Sequence, residues 1–225
     1  MTASNMTNQN IKIISFLGLP ASGKGTQAEI LATKIDSKVY GIGDMIREEI
    51  ESSDLSDPFY GSMKDKYDKG IPQSDEVVMD IVKKGISAES KIIIFDNFPF
   101  SERQANLFFK LCDDIKSEKP ILIIIDISKE TANKRILSRK VCSLCETVYI
   151  DDGNQICEKC GGPLVTRSDD NEETLRKRID EYTPRIAEVK EAFRNNGKVI
   201  EIDGEKSINE VSKEVFRELS DANFI

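Results

Sequence analysis

A β-branched apolar run, IKIISFLG at residues 11–18, passes directly into a glycine-rich turn, LPASGKG, and then into TQAEILATKI, a helix-forming stretch. Strand, glycine turn and helix in that order is the setting a phosphate-binding loop needs. The turn's backbone N–H groups ring an anion at a helix N-terminus, where the helix dipole favours negative charge. Gly18 to Lys24 fit the pattern G-x-x-x-x-G-K-[ST]. The next residue, however, is Gly25, and the hydroxyl arrives one place late at Thr26. The competing reading is a helix start that is merely rich in small residues. The strand, the glycine spacing and the lysine together favour the phosphate loop, with Lys24 reaching the outer phosphates.

Three more short apolar runs follow: KIIIFD (91–96), ILIIID (121–126) and KVIEID (198–203); KVYGIGD (38–44) is a weaker fifth. Each is too short for a helix and fits a strand buried on both faces of a parallel sheet. Helical patterns at 30–35, 77–81 and 107–111 separate them, so the chain predicts an α/β sheet with right-handed crossovers. The longest helix candidate is 171–194, where Leu175, Ile179, Tyr182, Ile186, Val189 and Phe193 form an amphipathic stripe. Pro184 lies inside it and predicts a kink, or a restart with Thr183 as cap. Two stretches, 41–74 and 140–167, break the alternation and read as insertions over the ends of the sheet. A chain of 225 residues is long enough for one sizeable core with such insertions.

Composition removes several chemistries. There is no histidine, which excludes Ser-His-Asp and Cys-His nucleophile systems, HExxH metal sites and Cys₂His₂ fingers. The chemistry must run on Lys, Arg, Asp and backbone. The net charge of −8 argues against broad nucleic-acid binding through phosphate neutralisation. No apolar run approaches the ~18 residues needed to span a bilayer. The opening MTASNMTNQN lacks the basic and apolar regions of a secretory signal, so residues 1–10 are expected to be a disordered tail and the chain cytoplasmic.

The stretch CSLCETVYIDDGNQICEKC has the spacing C-x₂-C-x₁₁-C-x₂-C, at Cys142, Cys145, Cys157 and Cys160. Two such knuckles bring four thiolates to the corners of a tetrahedron, which suits zinc. A disulfide pair is the rival, disfavoured in a cytosolic setting. With all four corners filled by cysteine no coordination position stays open, so the metal is read as structural. Two glycines after Cys160 fit the tight turn of a zinc ribbon. Cys112 falls on an apolar helix face and reads as core.

The loop, the ribbon and the order of elements together resemble the adenylate kinase family of nucleoside monophosphate kinases, in its zinc-lid form. The likeness runs from about Ile11 to the end of the sequence. This family writes its loop with glycine after the lysine and threonine next, as Lys24-Gly25-Thr26 does. The resemblance implies a P-loop three-layer α/β fold with a five-stranded parallel sheet. It also implies an NMP-binding helical insertion at 41–74 and a zinc lid at 140–167 within a core of 11–225. The ATP-binding residues would be Gly18, Ala21, Ser22, Gly23, Lys24, Gly25, Thr26, Arg135, Arg139, Val148, Tyr149 and Lys206. Arg135 would lie along the adenine and Lys206 near it. The monophosphate side would be formed by Ile42, Arg47, Ile71, Gln73, Asn97, Phe100, Gln104, Arg167 and Arg178. Lys24, Arg139, Arg167, Arg178 and Asp96 would be catalytic, with Asp96 near magnesium and Arg167 and Arg178 clamping the transferring group. Magnesium with ATP, structural zinc, small nucleotides as the partners and a monomeric state are the further implications.

Four departures from the family pattern stand out. After the third strand the family reads DGFPR, whereas this chain reads DNFPF: Asn97 replaces a glycine, and Phe100 replaces the arginine that grips the acceptor's phosphate. Ile42 replaces a threonine near the acceptor base. Ala21 replaces a loop glycine, which restrains the backbone. The spacing from Tyr182 to Thr183-Pro184 is about three residues short. The donor side and lid match, and the acceptor side is altered. AMP is the favoured acceptor, with CMP, UMP and GMP open. A nucleotide-binding relative with reduced or lost transfer activity is the second reading. A zinc-ribbon nucleic-acid module is the weakest, because Asp151, Asp152 and Glu158 oppose Lys159 in the ribbon.

Overall fold

Side-chain alternation along five short strands divides the core into two layers on opposite faces of one sheet. A computed structural model describes residues 11–69, 71–86, 91–145, 147–166 and 172–225; the expected tail at 1–10 lies outside them. In chain order the first elements are β1 (Lys12–Leu17), α1 (Lys24–Lys34), β2 (Val39–Gly41), α2 (Ile42–Glu51), α3 (Pro58–Asp68) and α4 (Asp75–Gly85). Next come β3 (Ile92–Asp96), α5 (Glu102–Asp114), β4 (Ile121–Asp126), α6 (Lys129–Leu137) and β5 (Arg139–Cys142). The last are β6 (Val148–Ile150), β7 (Leu164–Val165), α7 (Glu172–Asn196), β8 (Lys198–Asp203) and α8 (Ile208–Asp221).

Strands β1, β2, β3, β4 and β8 form a parallel five-stranded sheet in the order β2-β3-β1-β4-β8. The period of two along a strand sends Ile13, Leu17, Ile93, Phe95, Leu122 and Ile124 to one face. There they pack with α2, α4, α5 and α7. Ile14, Phe16, Ile94, Ile121, Ile123 and Ile200 go to the other face, against α1 and α8. Both faces are covered, which explains why the strands read as continuous apolar runs. β1 has β3 on one side and β4 on the other, so the turn after β1 emerges at the carboxyl end of the sheet's centre. That is the crevice where open α/β sheets bind ligands.

Two expectations are corrected. The weak run at 38–44 is strand only to Gly41; Ile42 already starts α2. Thr183 does not cap a second helix. α7 runs unbroken through Pro184, and the Thr183 hydroxyl donates to the Ile179 carbonyl at 2.8 Å. Proline has no N–H for the carbonyl four residues back. Packing of Leu175, Ile179, Val189 and Phe193, all buried, holds the helix together across that gap.

The two irregular stretches carry their own elements. Residues 41–74 hold α2 and α3, the latter begun by Asp57, whose side chain accepts from the Phe59 amide. Residues 140–166 hold most of a small antiparallel sheet, β6-β5-β7, with Val141 opposite Val148 and Cys142 opposite Leu164. No helix of the described residues is long and apolar enough to cross a membrane.

Candidate functional site

Helices α3, α4, α5, α6 and α8 each begin with an Asp or Ser whose side chain accepts a first-turn amide. Helix α1 has no such cap and no acid in its first turn; its N-cap is Gly23, in the left-handed region at φ 93°. The first-turn amides, which have no intrahelical acceptor, therefore face the turn formed by residues 18–23. An uncapped helix end above a glycine turn has the geometry to bind an anion. Ala21 takes φ 60°, the left-handed conformation that a glycine would take without strain.

The oddity at Gly25 has a spatial cause. A Cβ at that position would lie 2.8 Å from Asp96 Oδ2, so any side chain there would have to displace the carboxylate at the end of β3. Burial pushes the Asp96 carboxyl up from the ordinary range, the Lys24 charge pulls it down, and Asp44 pushes it up again. Asp96 Oδ1 is buried and has no hydrogen-bond partner among the described residues. An orphaned carboxylate oxygen beside an anion-binding turn fits a hard divalent cation, which takes oxygen ligands. Asn97 follows at φ 60°, a conformation that asparagine tolerates better than most residues.

The cations gather on an aromatic pair. Phe100 and Tyr182 have ring centroids 4.3 Å apart. Lys24 Nζ and the Arg178 guanidinium each lie 5.9 Å from the Tyr182 ring, and the Arg185 guanidinium lies 5.1 Å from the Phe100 ring. Phe100 therefore leans on Tyr182 and not on Phe98, whose ring neighbours are Phe95 and Phe108. Tyr182, taken from the sequence only as part of the apolar stripe, sits at the centre of the site. Arg178, Tyr182 and Arg185 are spaced four and three residues apart, the spacing of one helix face, and that was the available signal.

Other expected donor-side residues fall around the turn or on the small sheet. Arg135 donates to the Ala21 and Ser22 carbonyls at 3.4 and 3.3 Å and to the Gly204 carbonyl at 2.8 Å. It ties the turn to the β8–α8 connection, where Lys206 pairs with Glu214 at 2.8 Å. Arg139 begins β5, Val148 is half-exposed on β6, and the Tyr149 hydroxyl lies 3.2 Å from Cys157 Sγ. Arg167 lies outside the described residues.

On the opposite side, Arg47 pairs with Asp44 at 2.7 Å. It lines a cleft of about 360 Å³ with Gly43, Asp44, Tyr67, Val141, Cys142 and Ser143, so the small sheet lies over α2 and α3. Gln73 donates to the Met63 carbonyl, and Ile71 is half-exposed nearby. Ile42 packs against the core at the start of α2. Gln104 is more constrained: its Oε1 accepts from the Phe100 amide and its Nε2 donates to Asp75, both at 2.9 Å. Arg103 faces away from the site and pairs with Glu76.

The four cysteine sulfurs of residues 142, 145, 157 and 160 all lie within 4.8 Å of one another. Cys142 and Cys160 are 3.4 Å apart, and Cys145 and Cys157 are 3.6 Å apart. A tetrahedral zinc–thiolate site at ~2.3 Å per bond has sulfur–sulfur edges of ~3.8 Å, so the cluster fits such an ion. A hydrogen bond from the Thr147 side chain holds the Cys145 thiol down at about 6, and the Tyr149 hydroxyl lowers Cys157. Those two shifts favour the thiolate, the form that binds metal, whereas at Cys160 the Gly162 amide is outweighed by hydrogen bonds to the Cys145 and Cys142 sulfurs, which push that thiol up to about 12. Gly161 turns the chain after the second knuckle at φ 75°.

Comparison with known proteins shows the family. A family model described as adenylate kinase matches residues 16–198. The chain is 32% identical over 210 residues to the adenylate kinase of Syntrophotalea carbinolica, covering 90% of this chain and 96% of that one. It is 33% identical over 215 residues to the adenylate kinase of Petrotoga mobilis, covering 92% and 97%. Against the adenylate kinase of Methanocella arvoryzae it is 31% identical over 206 residues, covering 88% and 94%.

Proposed function

The chain belongs to the adenylate kinase family and is a phosphotransferase; from that premise we propose that it moves the γ-phosphoryl group of ATP to AMP, giving two ADP. The observation that carries the reading is the convergence of Lys24 from the phosphate turn and Arg178 from α7 on one Tyr182 ring. They flank the uncapped end of α1. Phosphoryl transfer passes through a loose transition state with negative charge on the equatorial oxygens, so catalysis is positioning plus cationic stabilisation. That need is met without histidine.

In this reading the amides of residues 22–26 and Lys24 hold the β- and γ-phosphates. Arg139, Arg167 and Arg178 neutralise the transferring group. Arg135, Val148, Tyr149 and Lys206 bound the adenine side. Arg47 takes the acceptor's phosphate, and Ile42, Ile71, Gln73, Asn97 and Gln104 surround its base. Magnesium bound with ATP would supply positive charge to the phosphates, and Asp96 is the residue that would hold it. Zinc on the four cysteines would keep residues 140–167 folded as a lid. The lid excludes water, which would otherwise compete as acceptor. The small sheet's position across the cleft from Arg47 supports that role.

A second reading, a nucleotide-binding relative with weakened transfer, is favoured by Phe100 standing where the family has an arginine. A coupled assay of ADP formation from Mg·ATP with AMP, CMP, UMP and GMP separates the two. Turnover fastest with AMP supports the kinase. ATP binding without turnover on any acceptor supports the second reading.

A further inference from the structure

We propose that Arg185 is a second acceptor-phosphate anchor of this chain, beside Arg47, delivered from α7 and held in place by the ring of Phe100; this rests on the kinase reading above. Phe100 itself offers an anion nothing. What it offers is a flat face, and the Arg185 guanidinium lies 5.1 Å from the centre of that face. A guanidinium stacks on an aromatic ring while its N–H edge stays available for a bidentate grip on phosphate. Glu181 holds the same group at 2.8 Å one turn earlier on the helix, and the Arg185 side chain remains one-third exposed (33%). It is thus anchored through ring and carboxylate and open on its remaining side.

The position suits the acceptor. Arg178, Tyr182 and Arg185 stand on one face of α7, with the two arginines about 10.5 Å apart along its axis. Arg178 shares the Tyr182 ring with Lys24, the lysine of the phosphate turn. The Phe100 ring touches that same tyrosine. Lys24, Arg178 and Arg185 therefore border one continuous aromatic floor, in the order donor phosphates, transferring group, acceptor phosphate. Arg103, the nearest arginine in sequence to Phe100, is turned outward to Glu76 and is 70% exposed. The roughly three-residue shortening after Tyr182, close to one helical turn, sets Arg185 immediately beyond Pro184 on this row.

The test uses the full chain and reads AMP binding by calorimetry without ATP, alongside steady-state kinetics. Arg185→Ala should raise both Kd and KM for AMP roughly 10- to 150-fold, as expected for one lost charged hydrogen-bonding contact. KM for ATP should change less than about twofold. Arg185→Lys should fall between, because an ammonium cannot grip in a planar, bidentate way. Phe100→Arg should restore most of the loss in the Arg185→Ala background yet gain nothing in the parent, where it removes the platform and adds a like charge. An AMP affinity in Arg185→Ala within about twofold of the parent overturns the proposal. So does an unrescued loss with an equal rise in KM for ATP and a lowered Tm, which marks a structural role. If the parent binds AMP but transfers nothing, the kinase reading fails while the binding arm still judges Arg185. If it binds none of the four monophosphates, both fall.

Discussion

With zinc on the four-cysteine cluster as proposed, its removal should unfold residues 140–166 and leave the five-stranded sheet standing. The small sheet has almost no core of its own. Its buried apolar side chains are Val141, Cys142, Cys157 and Leu164, with Cys145 and Tyr149 packed beside them. A buried valine and a buried leucine together contribute about 3–6 kcal/mol. A structural zinc contributes about 10–16 kcal/mol in finger peptides. The metal term exceeds the apolar term, and strands of four, three and two residues do not stand alone in water. The large core shares no buried residue with this cluster. Chelated protein, with metal content measured in parallel, should be followed by hydrogen exchange. Amides of β5 and β6 should lose protection entirely, while those of β1, β3 and β4 change little. Cys142→Ser and Cys157→Ser should give the same pattern. Protein with well under about one metal ion per chain that keeps β5 and β6 protected would refute the reasoning.

Lys24→Ala should lower kcat at least about 100-fold, as for other groups aimed at transition-state charge, with Tm nearly unchanged; parent-like turnover would show that the turn does not hold the transferred phosphate. Ala21→Gly should raise Tm by about 1–4 °C, because relief of a left-handed alanine (about 1–2 kcal/mol) outweighs the added chain entropy of glycine (about 0.5–1 kcal/mol). Asn97→Gly should move it less, and a fall in Tm for Ala21→Gly would contradict the strain argument. Burial pushes the Cys112 thiol up to about 12, so in folded, metal-free protein at pH 8 it should resist a thiol reagent that modifies the other four cysteines. A fifth thiol reacting without denaturant would contradict its place in the core.

The sheet was legible because strands buried on both faces are written as short β-branched runs, and the phosphate turn because its glycines and lysine are contiguous. The cysteine cluster was legible for the same reason of spacing. Contacts made across long sequence distances were not. The resemblance gave Gly25 as the family's usual residue, but its physical reason, the Asp96 carboxylate 2.8 Å from where a Cβ would stand, lies far along the chain. Asn97 and Ala21 stood out as replacements of glycine, but only their φ of 60° shows that both sit where glycine is the unstrained choice. Pro184 predicted a kink or a restart; the restart does not occur, because tertiary packing of α7 carries the helix through. Phe100 read as a loss. Its tilted contact with Tyr182 and its place under Arg185 depend on a loop and a helix some 80 residues apart, and no local pattern announces such a meeting.

The most direct measurement follows the phosphoryl group itself. ATP labelled in its γ-phosphate is incubated with the protein, magnesium and AMP, and the products are separated. The account predicts label in newly formed ADP, one ADP from each substrate, with little in inorganic phosphate. Label released as inorganic phosphate, or retained in ATP, would contradict it.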